Sequence, residues 1–238
     1  MIKKNILLVF KKLTNFFSAQ ARIHIQTKTP VDMHYEDLAR ECYDHFKVYF
    51  KNSYVFSVVD SVRTYAIKEA INKNENTDLY MEFGVWKGSS INLFASSLLK
   101  NNSTIHGFDS FAGLRDDWIS SVFVPKGTFN LKKQLPSVKK NVNLIKGWIE
   151  ETLPNFLKEN NNTKIAFIHF DMDTYKSTAF AIKTLKPFFK TGTIILFDQL
   201  HSYPHWKEHE FKALNDTLKS DEYKFIAFGV RQACIEIL

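Results

Sequence analysis

The chain has 238 residues, 45% of them apolar and 24% charged. That is enough to bury a sizeable core, and it excludes a disordered chain, a collagen-like repeat and a disulfide-rich mini-domain. The net charge of +7 is local: residues 1–30 hold Lys3, Lys4, Lys11, Lys12, Arg22 and Lys28 and no acid, whereas the rest of the chain carries 26 basic and 25 acidic residues. A near-neutral body argues against a nucleic-acid groove. No apolar run approaches the roughly 20 residues of a membrane-spanning helix. Cys42 and Cys234 are far apart and lack a His or Cys at metal spacing, so they read as reduced thiols of a cytoplasmic protein.

In chain order, the first element is basic and amphipathic. Ile2, Ile6, Val9, Phe10, Leu13, Phe16 and Phe17 recur at spacings of three and four, with the lysines mostly on the other side, which predicts a helix over 2–17. The apolar stretch 6–10 is too short for a secretory signal, and Lys11-Lys12 interrupts it. Such a helix either packs on the domain or on a partner subunit of a homo-oligomer, or lies on an anionic membrane surface as a peripheral contact. Residues 35–72 read as helical throughout. Together these segments make a helical N-terminal extension over 1–75, followed by the main domain over 76–238.

From residue 79 the pattern becomes strand and helix in alternation. Strands are expected at 79–86, 104–109, 142–148, 165–171 and 193–198, and helices at 89–99, 150–157, 177–189 and 206–218. Two further strands, 223–228 and 233–238, are separated only by Gly229-Val230-Arg231-Gln232 and form a hairpin. The expectation is an α/β fold: a doubly wound, mostly parallel seven-stranded sheet of Rossmann-like type with an antiparallel C-terminal hairpin. Ligands of such sheets bind beyond the carboxyl ends of the strands.

The strand ends therefore carry the chemistry. The first ends in Glu82-Phe83-Gly84-Val85-Trp86-Lys87-Gly88-Ser89-Ser90, a glycine turn into a helix start that suits a close ligand. It is neither a three-glycine dinucleotide fingerprint nor a phosphate-binding loop with Gly-Lys-Ser/Thr. The second ends in Gly107-Phe108-Asp109-Ser110, with Asp109 lying 25 residues after Gly84, close to where an acid grips ribose hydroxyls in nucleoside-binding sheets. A helix cap or a solvated loop acid is the alternative reading. The fourth and fifth end in His169-Phe170-Asp171-Met172-Asp173 and Phe197-Asp198-Gln199-Leu200-His201. Asp171, Asp173 and Asp198 in one crevice would repel one another without a cation or a shared proton. Asp171, Asp198 and the amide oxygen of Gln199 offer a hard-oxygen site of the kind Mg²⁺ occupies. The alternative is that one Asp caps the next helix and the others are solvated.

Five ordered blocks carry a family resemblance: E-F-G-V-W-K-G-S-S at 82–90, G-F-D-S-F-A-G-L at 107–114, K-G-W-I-E-E-T-L-P at 146–154, H-F-D-M-D-T-Y-K-S-T at 169–178 and F-D-Q-L-H at 197–201. Over roughly 78–238 the chain resembles the class I S-adenosylmethionine-dependent methyltransferases, and most closely the macrocin O-methyltransferase-like family. The resemblance implies an O-methyltransferase acting on a hydroxyl of a sugar or other small natural-product acceptor, with S-adenosyl-L-methionine as cofactor and Mg²⁺ assisting. It implies that Glu82 and Gly84 line the methionine end of the cofactor, Gly88 and Ser89 the adjoining helix start, and Asp109 and Ser110 the ribose. Trp148 falls where the family has the adenine, although a core tryptophan fits the residue equally. Asp171 and Asp198 match metal ligands and Asp173 the general base. Gln199 departs from a pattern that often has a second acid. His201 is read as an alternative base or a second contact, against the plain reading of a solvated loop histidine. Two rival classes are a cofactor-binding protein of the same fold without catalysis and a methyltransferase for another acceptor class.

Overall fold

The computed structural model describes residues 28–132 and 134–238, together with Lys12, Thr14 and Asn15. The helix expected over 2–17 otherwise lies outside the described residues. By contact the chain divides into two compact units, 1–45 and 46–238. Among the described residues no helix is long and apolar enough to cross a membrane.

The first long helix, α1 (Pro30–Phe50), starts where its sequence provides for a start. Thr29 precedes a proline, and its hydroxyl and backbone amide both donate to Asp32 Oδ2, at 2.7 and 2.8 Å. Asp32 N donates in return to the Thr29 hydroxyl at 3.2 Å. This reciprocal cap satisfies amides that the first turn leaves without partners.

The single helix expected over 35–72 is two helices. After α1 the chain turns at Asn52 and enters a two-residue strand, β1 (Tyr54–Val55), before α2 (Val59–Lys73). The β-prone run Tyr54-Val55-Phe56 finds partners in the sheet edge. The Ser53 hydroxyl donates to the Phe225 carbonyl at 3.1 Å, and Phe56 N to the Phe228 carbonyl at 2.8 Å. Strand pairing thus overrides the helical periodicity on either side.

The seven expected strands are present, and β1 adds an eighth. They are β2 (Leu79–Phe83), β3 (Ile105–Asp109), β6 (Val142–Lys146), β7 (Ile165–Phe170), β8 (Ile194–Phe197), β9 (Tyr223–Phe228) and β10 (Ala233–Ile237). A separate two-stranded ribbon pairs β4 (Trp118–Ile119) with β5 (Phe123–Val124). The main sheet runs β1-β9-β10-β8-β7-β2-β3-β6, with β10 antiparallel to both its neighbours and every other pair parallel. The strand order reverses between β2 and β7, which opens a crevice at their carboxyl ends. Helices α3 (Ser89–Leu98), α4 (Ile149–Glu159), α5 (Tyr175–Leu185) and α6 (Glu210–Thr217) complete the layers.

Alternation along the strands decides what meets the crevice. Phe108, Phe83, Phe170 and Phe197 are register partners across β3, β2, β7 and β8, with successive ring centroids 4.8, 5.5 and 5.4 Å apart. This aromatic row levels the four strand ends. The residues one step later still join the ladder: Gly84 N donates to the Phe108 carbonyl, Asp171 N to Phe83 and Asp198 N to Phe170, at 3.0, 2.8 and 2.9 Å. Period-two geometry turns Glu82, His169, Asp171 and Asp198 to the opposite face from the phenylalanines. That face carries α2 and α3, whose Val62, Ala66, Ile67, Ala70, Ile91 and Phe94 form the apolar core with Phe167.

Gly84 holds this arrangement closed. Its φ is +90°, and a Cβ there would stand 1.9 Å from the Asp171 carbonyl oxygen. Gly84→Ala is expected to cost at least ~2 kcal/mol through backbone strain and the forced separation of β2 from β7. Chemical denaturation checks it; a change within ~0.5 kcal/mol would mean that the turn tolerates side chains.

Candidate active site

A cavity of about 660 Å³ opens at the carboxyl ends of the central strands, within the size range of cofactor pockets. Its first wall is the turn between β2 and α3 with the end of β3. Gly84, Ser89, Asp109, Ser110 and Trp148 all line it. Asp109 acts here as a clamp on its own backbone: Val85 N and Trp86 N donate to Oδ2 at 2.9 and 2.7 Å, and Phe111 N donates to Oδ1 at 2.7 Å. Two carboxylate oxygens offer about four acceptor positions, so these amides fill three of them. Asp109 thus shapes the wall as well as facing it. Ser110 takes the amide of Ala112 at 3.1 Å. Trp148 caps α4, and the Arg115 guanidinium lies 5.0 Å above its ring, itself held by Glu150 at 3.0 Å.

Two residues expected beside the cofactor stand behind this wall. Gly88 begins α3 at φ 82° without lining the cavity. Glu82 is fully buried and accepts the Ser90 hydroxyl at 2.6 Å, while its Oε2 has no partner among the described residues.

The second wall is acidic: Asp171, Asp173 and Gln199 line it, and Arg63 from α2 joins them. Asp198 sits directly behind. Arg63 Nη2 donates to Asp198 Oδ1 at 2.7 Å, and Gln232 Nε2 approaches the same oxygen at 3.4 Å. His169, wholly buried, lies between two acids: Nε2 is 3.5 Å from Asp198 Oδ1 and Nδ1 is 3.8 Å from Glu82 Oε1. Both spacings exceed those of good hydrogen bonds, so charge attraction is the main link.

These neighbours separate the protonation behaviour of the acids. Burial alone would raise Asp198, but His169 and Arg63 outweigh it and hold the carboxyl at about 2. Burial also disfavours a charged His169, yet Asp198 and Glu82 raise its pKa to about 10. Asp171 is pushed well up by burial and by the charge of Asp198. Asp173 is pushed up to about 7 by the same two causes. Asp173 also sits at φ 63°, an unfavourable backbone geometry for a residue with a Cβ, of the kind that concentrates at functional sites. Gln199 Nε2 donates to Asp173 Oδ1 at 3.1 Å, while Gln199 N donates to Glu210 Oε2 at 2.9 Å. Burial raises Glu210 well above the carboxylate range.

A family model described as a methyltransferase domain matches residues 81–200, which hold the residues of both walls except Arg63. The chain belongs to this methyltransferase family. Solved structures share its fold. The crystal structure of CalS11, a calicheamicin methyltransferase, aligns with a TM-score of 0.60 at 20% identity, over 94% of this chain and 91% of that one. The apo structure of CalS11, described as a TDP-rhamnose 3'-O-methyltransferase, gives 0.56 at 20% identity, over 94% and 93%. The O-methyltransferase NovP gives 0.54 at 20% identity, over 75% and 78%. No curated protein matches the sequence. The protein is a class I S-adenosylmethionine-dependent methyltransferase by its family and its sheet order.

The first wall of the methyltransferase fits its cofactor. It combines a glycine turn at a helix start, the backbone-locked Asp109 and the Trp148 ring in one cavity. The second wall does not fit the divalent ion expected from the sequence. His169, Asp171 and Asp198 do offer ligand atoms within 4.8 Å of one another. However, Asp198 already accepts from the Arg63 guanidinium at 2.7 Å, so an ion there would face a fixed positive charge in contact with one of its ligands. Gln199, expected as a third ligand, gives its amide nitrogen to Asp173; its Oε1, buried without a partner among the described residues, is a neutral acceptor that adds no charge to hold an ion.

His201 is corrected as well. It is buried away from the cavity, with Nε2 3.1 Å from the Gln232 carbonyl oxygen and Nδ1 2.6 Å from the Ser202 hydroxyl. Phe46 and Phe228 lie 5.3 and 5.8 Å from its ring, and burial lowers its pKa to about 4. It is a neutral core residue.

Arg63 is the site residue that sequence reasoning missed. A signal was present: Arg63, Ile67 and Ala70 share one face of α2, and an arginine among buried residues implies an acid to meet it.

Asp109→Ala leaves all three of these backbone amides without their acceptor. Hydrogen bonds to a charged group contribute about 1.5–3 kcal/mol each, so cofactor affinity is expected to fall at least ~10-fold as the turn loosens. Calorimetric titration with S-adenosylhomocysteine checks this, with circular dichroism to verify the fold; unchanged affinity would mean that the turn keeps its shape without the clamp.

Proposed function

We propose that this methyltransferase acts on a hydroxyl oxygen of a sugar or of another small natural-product acceptor, with Asp173 as the general base. The single observation that carries the proposal is the setting of Asp173: 7% exposed, held by Gln199, and on the cavity wall next to the cofactor-facing turn. The ordered motifs and the O-methyltransferase descriptions of CalS11 and NovP support the acceptor class.

S-adenosylmethionine, when bound, supplies a methyl carbon already activated by its sulfonium. What remains for the chain is alignment and proton removal. The two walls confine acceptor and cofactor in one cavity, which lowers the entropic part of the barrier. Asp173 takes the hydroxyl proton as the new oxygen–carbon bond forms and the carbon–sulfur bond breaks. The Gln199 amide fixes the Asp173 carboxylate for that transfer, and Glu210 in turn fixes the backbone of Gln199.

A general base contributes about 10²–10⁴-fold, so Asp173→Asn is expected to lower kcat by at least ~100-fold. S-adenosylhomocysteine affinity should change by less than about twofold, because the variant keeps the shape of the site. The sign of the pH effect follows from the raised pKa of Asp173. The base works when deprotonated, so wild-type turnover should climb as pH rises through about 7 and level off above it. The check is a pH–rate profile on sugar-hydroxyl acceptors. Near-normal turnover of Asp173→Asn across that range would remove Asp173 from the mechanism.

A further inference from the structure

The acidic wall poses a charge problem that the chain solves with its own side chain. Asp171, Asp173 and Asp198 converge at the ends of β7 and β8, and Arg63 reaches them from α2. The arginine is 14% exposed, and its route to the wall is built into the helix. Val62, Ala66, Ile67 and Ala70 bury the same segment, so Arg63 is carried inward by the packing of α2 on the sheet. Its Nη2 is 2.7 Å from Asp198, while Asp60 touches Nη1 at 3.6 Å from the solvent side. Its Nε–H is buried without an acceptor among the described groups. The guanidinium thus has an unused donor at a wall of the cavity.

We propose that Arg63 is the resident cation of this wall, taking the place of a divalent ion at Asp171 and Asp198, so that the methyltransferase works without bound metal. The inference rests on the O-methyl transfer proposed above. Two features of the sequence act in the same direction. Gln199 supplies an amide where a second carboxylate would strengthen a metal site, which lowers the negative charge available to hold an ion. Arg63 adds a permanent positive charge in direct contact with one of the remaining carboxylates, which repels any second cation. Arginine suits the task because it stays charged when buried and donates from several nitrogens at once. Arg63 is a positioning residue here: it fixes Asp198 and offsets the charge facing the acceptor, and Asp173 keeps the proton transfer.

The test titrates Mn²⁺ as the probe ion into the full chain and follows free Mn²⁺ by electron paramagnetic resonance. The wild type and Arg63→Lys, which keeps the charge, should take up no ion at the cluster. Arg63→Met keeps the stem and removes the charge, and should bind one Mn²⁺ at least ~10-fold more tightly than the wild type. One Mn²⁺ held by the wild type and lost in Asp171→Asn would overturn the proposal. So would a folded Arg63→Met that gains no affinity. If Arg63→Met does not fold by circular dichroism, the wild-type titration decides alone: no ion bound supports the proposal and one ion bound overturns it. Calorimetry with S-adenosylhomocysteine, with and without chelator, separates the two levels. Failure of the wild type to bind S-adenosylhomocysteine under either condition would strike at the proposed function, and binding only without chelator would strike at the metal independence.

Discussion

The site depends on one constraint: several carboxylates sit at the end of an apolar sheet, and a buried charge is tolerated only with a counter-charge or a proton. Glu82 and His169 are register partners on adjacent strands, and Asp171 and Asp198 follow on the same face two residues after His169 and Leu196. Strand alternation therefore stacks acids and imidazole on the side covered by α2 and α3, and the phenylalanine row on the other side keeps the strand ends level. The result is a buried series running Glu82, His169, Asp198, Arg63.

That series divides the labour among acids that look alike in sequence. Asp198 has a guanidinium and an imidazole beside it and stays ionised. Asp173 has an amide from Gln199 and, among the described residues, no such cation in contact, so burial and the charge of Asp198 lift it to about 7. Two carboxyl groups pushed in opposite directions by their surroundings are the arrangement by which a single site keeps one fixed charge and one group that exchanges protons. The opposite wall uses its acid differently again: Asp109 meets backbone amides rather than cations, and its charge is spent on holding a turn.

Much of the fold was legible because each central strand is a short apolar run that ends on a glycine or an acid. The hairpin was legible because four turn residues are too few for a helix. The break at Asn52 was not, since a two-residue strand leaves no periodic trace and depends on an edge supplied by β9. The acids of the site were legible from their place at strand ends, but their partners were not. Arg63 lies 135 residues from Asp198 in sequence. A list of strand-end residues contains the carboxylates and omits the helix that meets them. His201 was misread for a related reason: nearness to a motif says nothing of burial. Asp109 was recognised by position, but its amide partners follow from the close approach of β2 and β3 beyond their last ladder bonds.

The most direct measurement is a crystal structure of the methyltransferase with S-adenosylhomocysteine bound. The ligand is expected between the β2–α3 turn and Trp148, with its sulfur directed towards Asp173 and Arg63 still paired with Asp198. A sulfur directed away from the Asp171–Asp173 wall, or an Arg63 displaced from Asp198 on cofactor binding, would contradict that expectation.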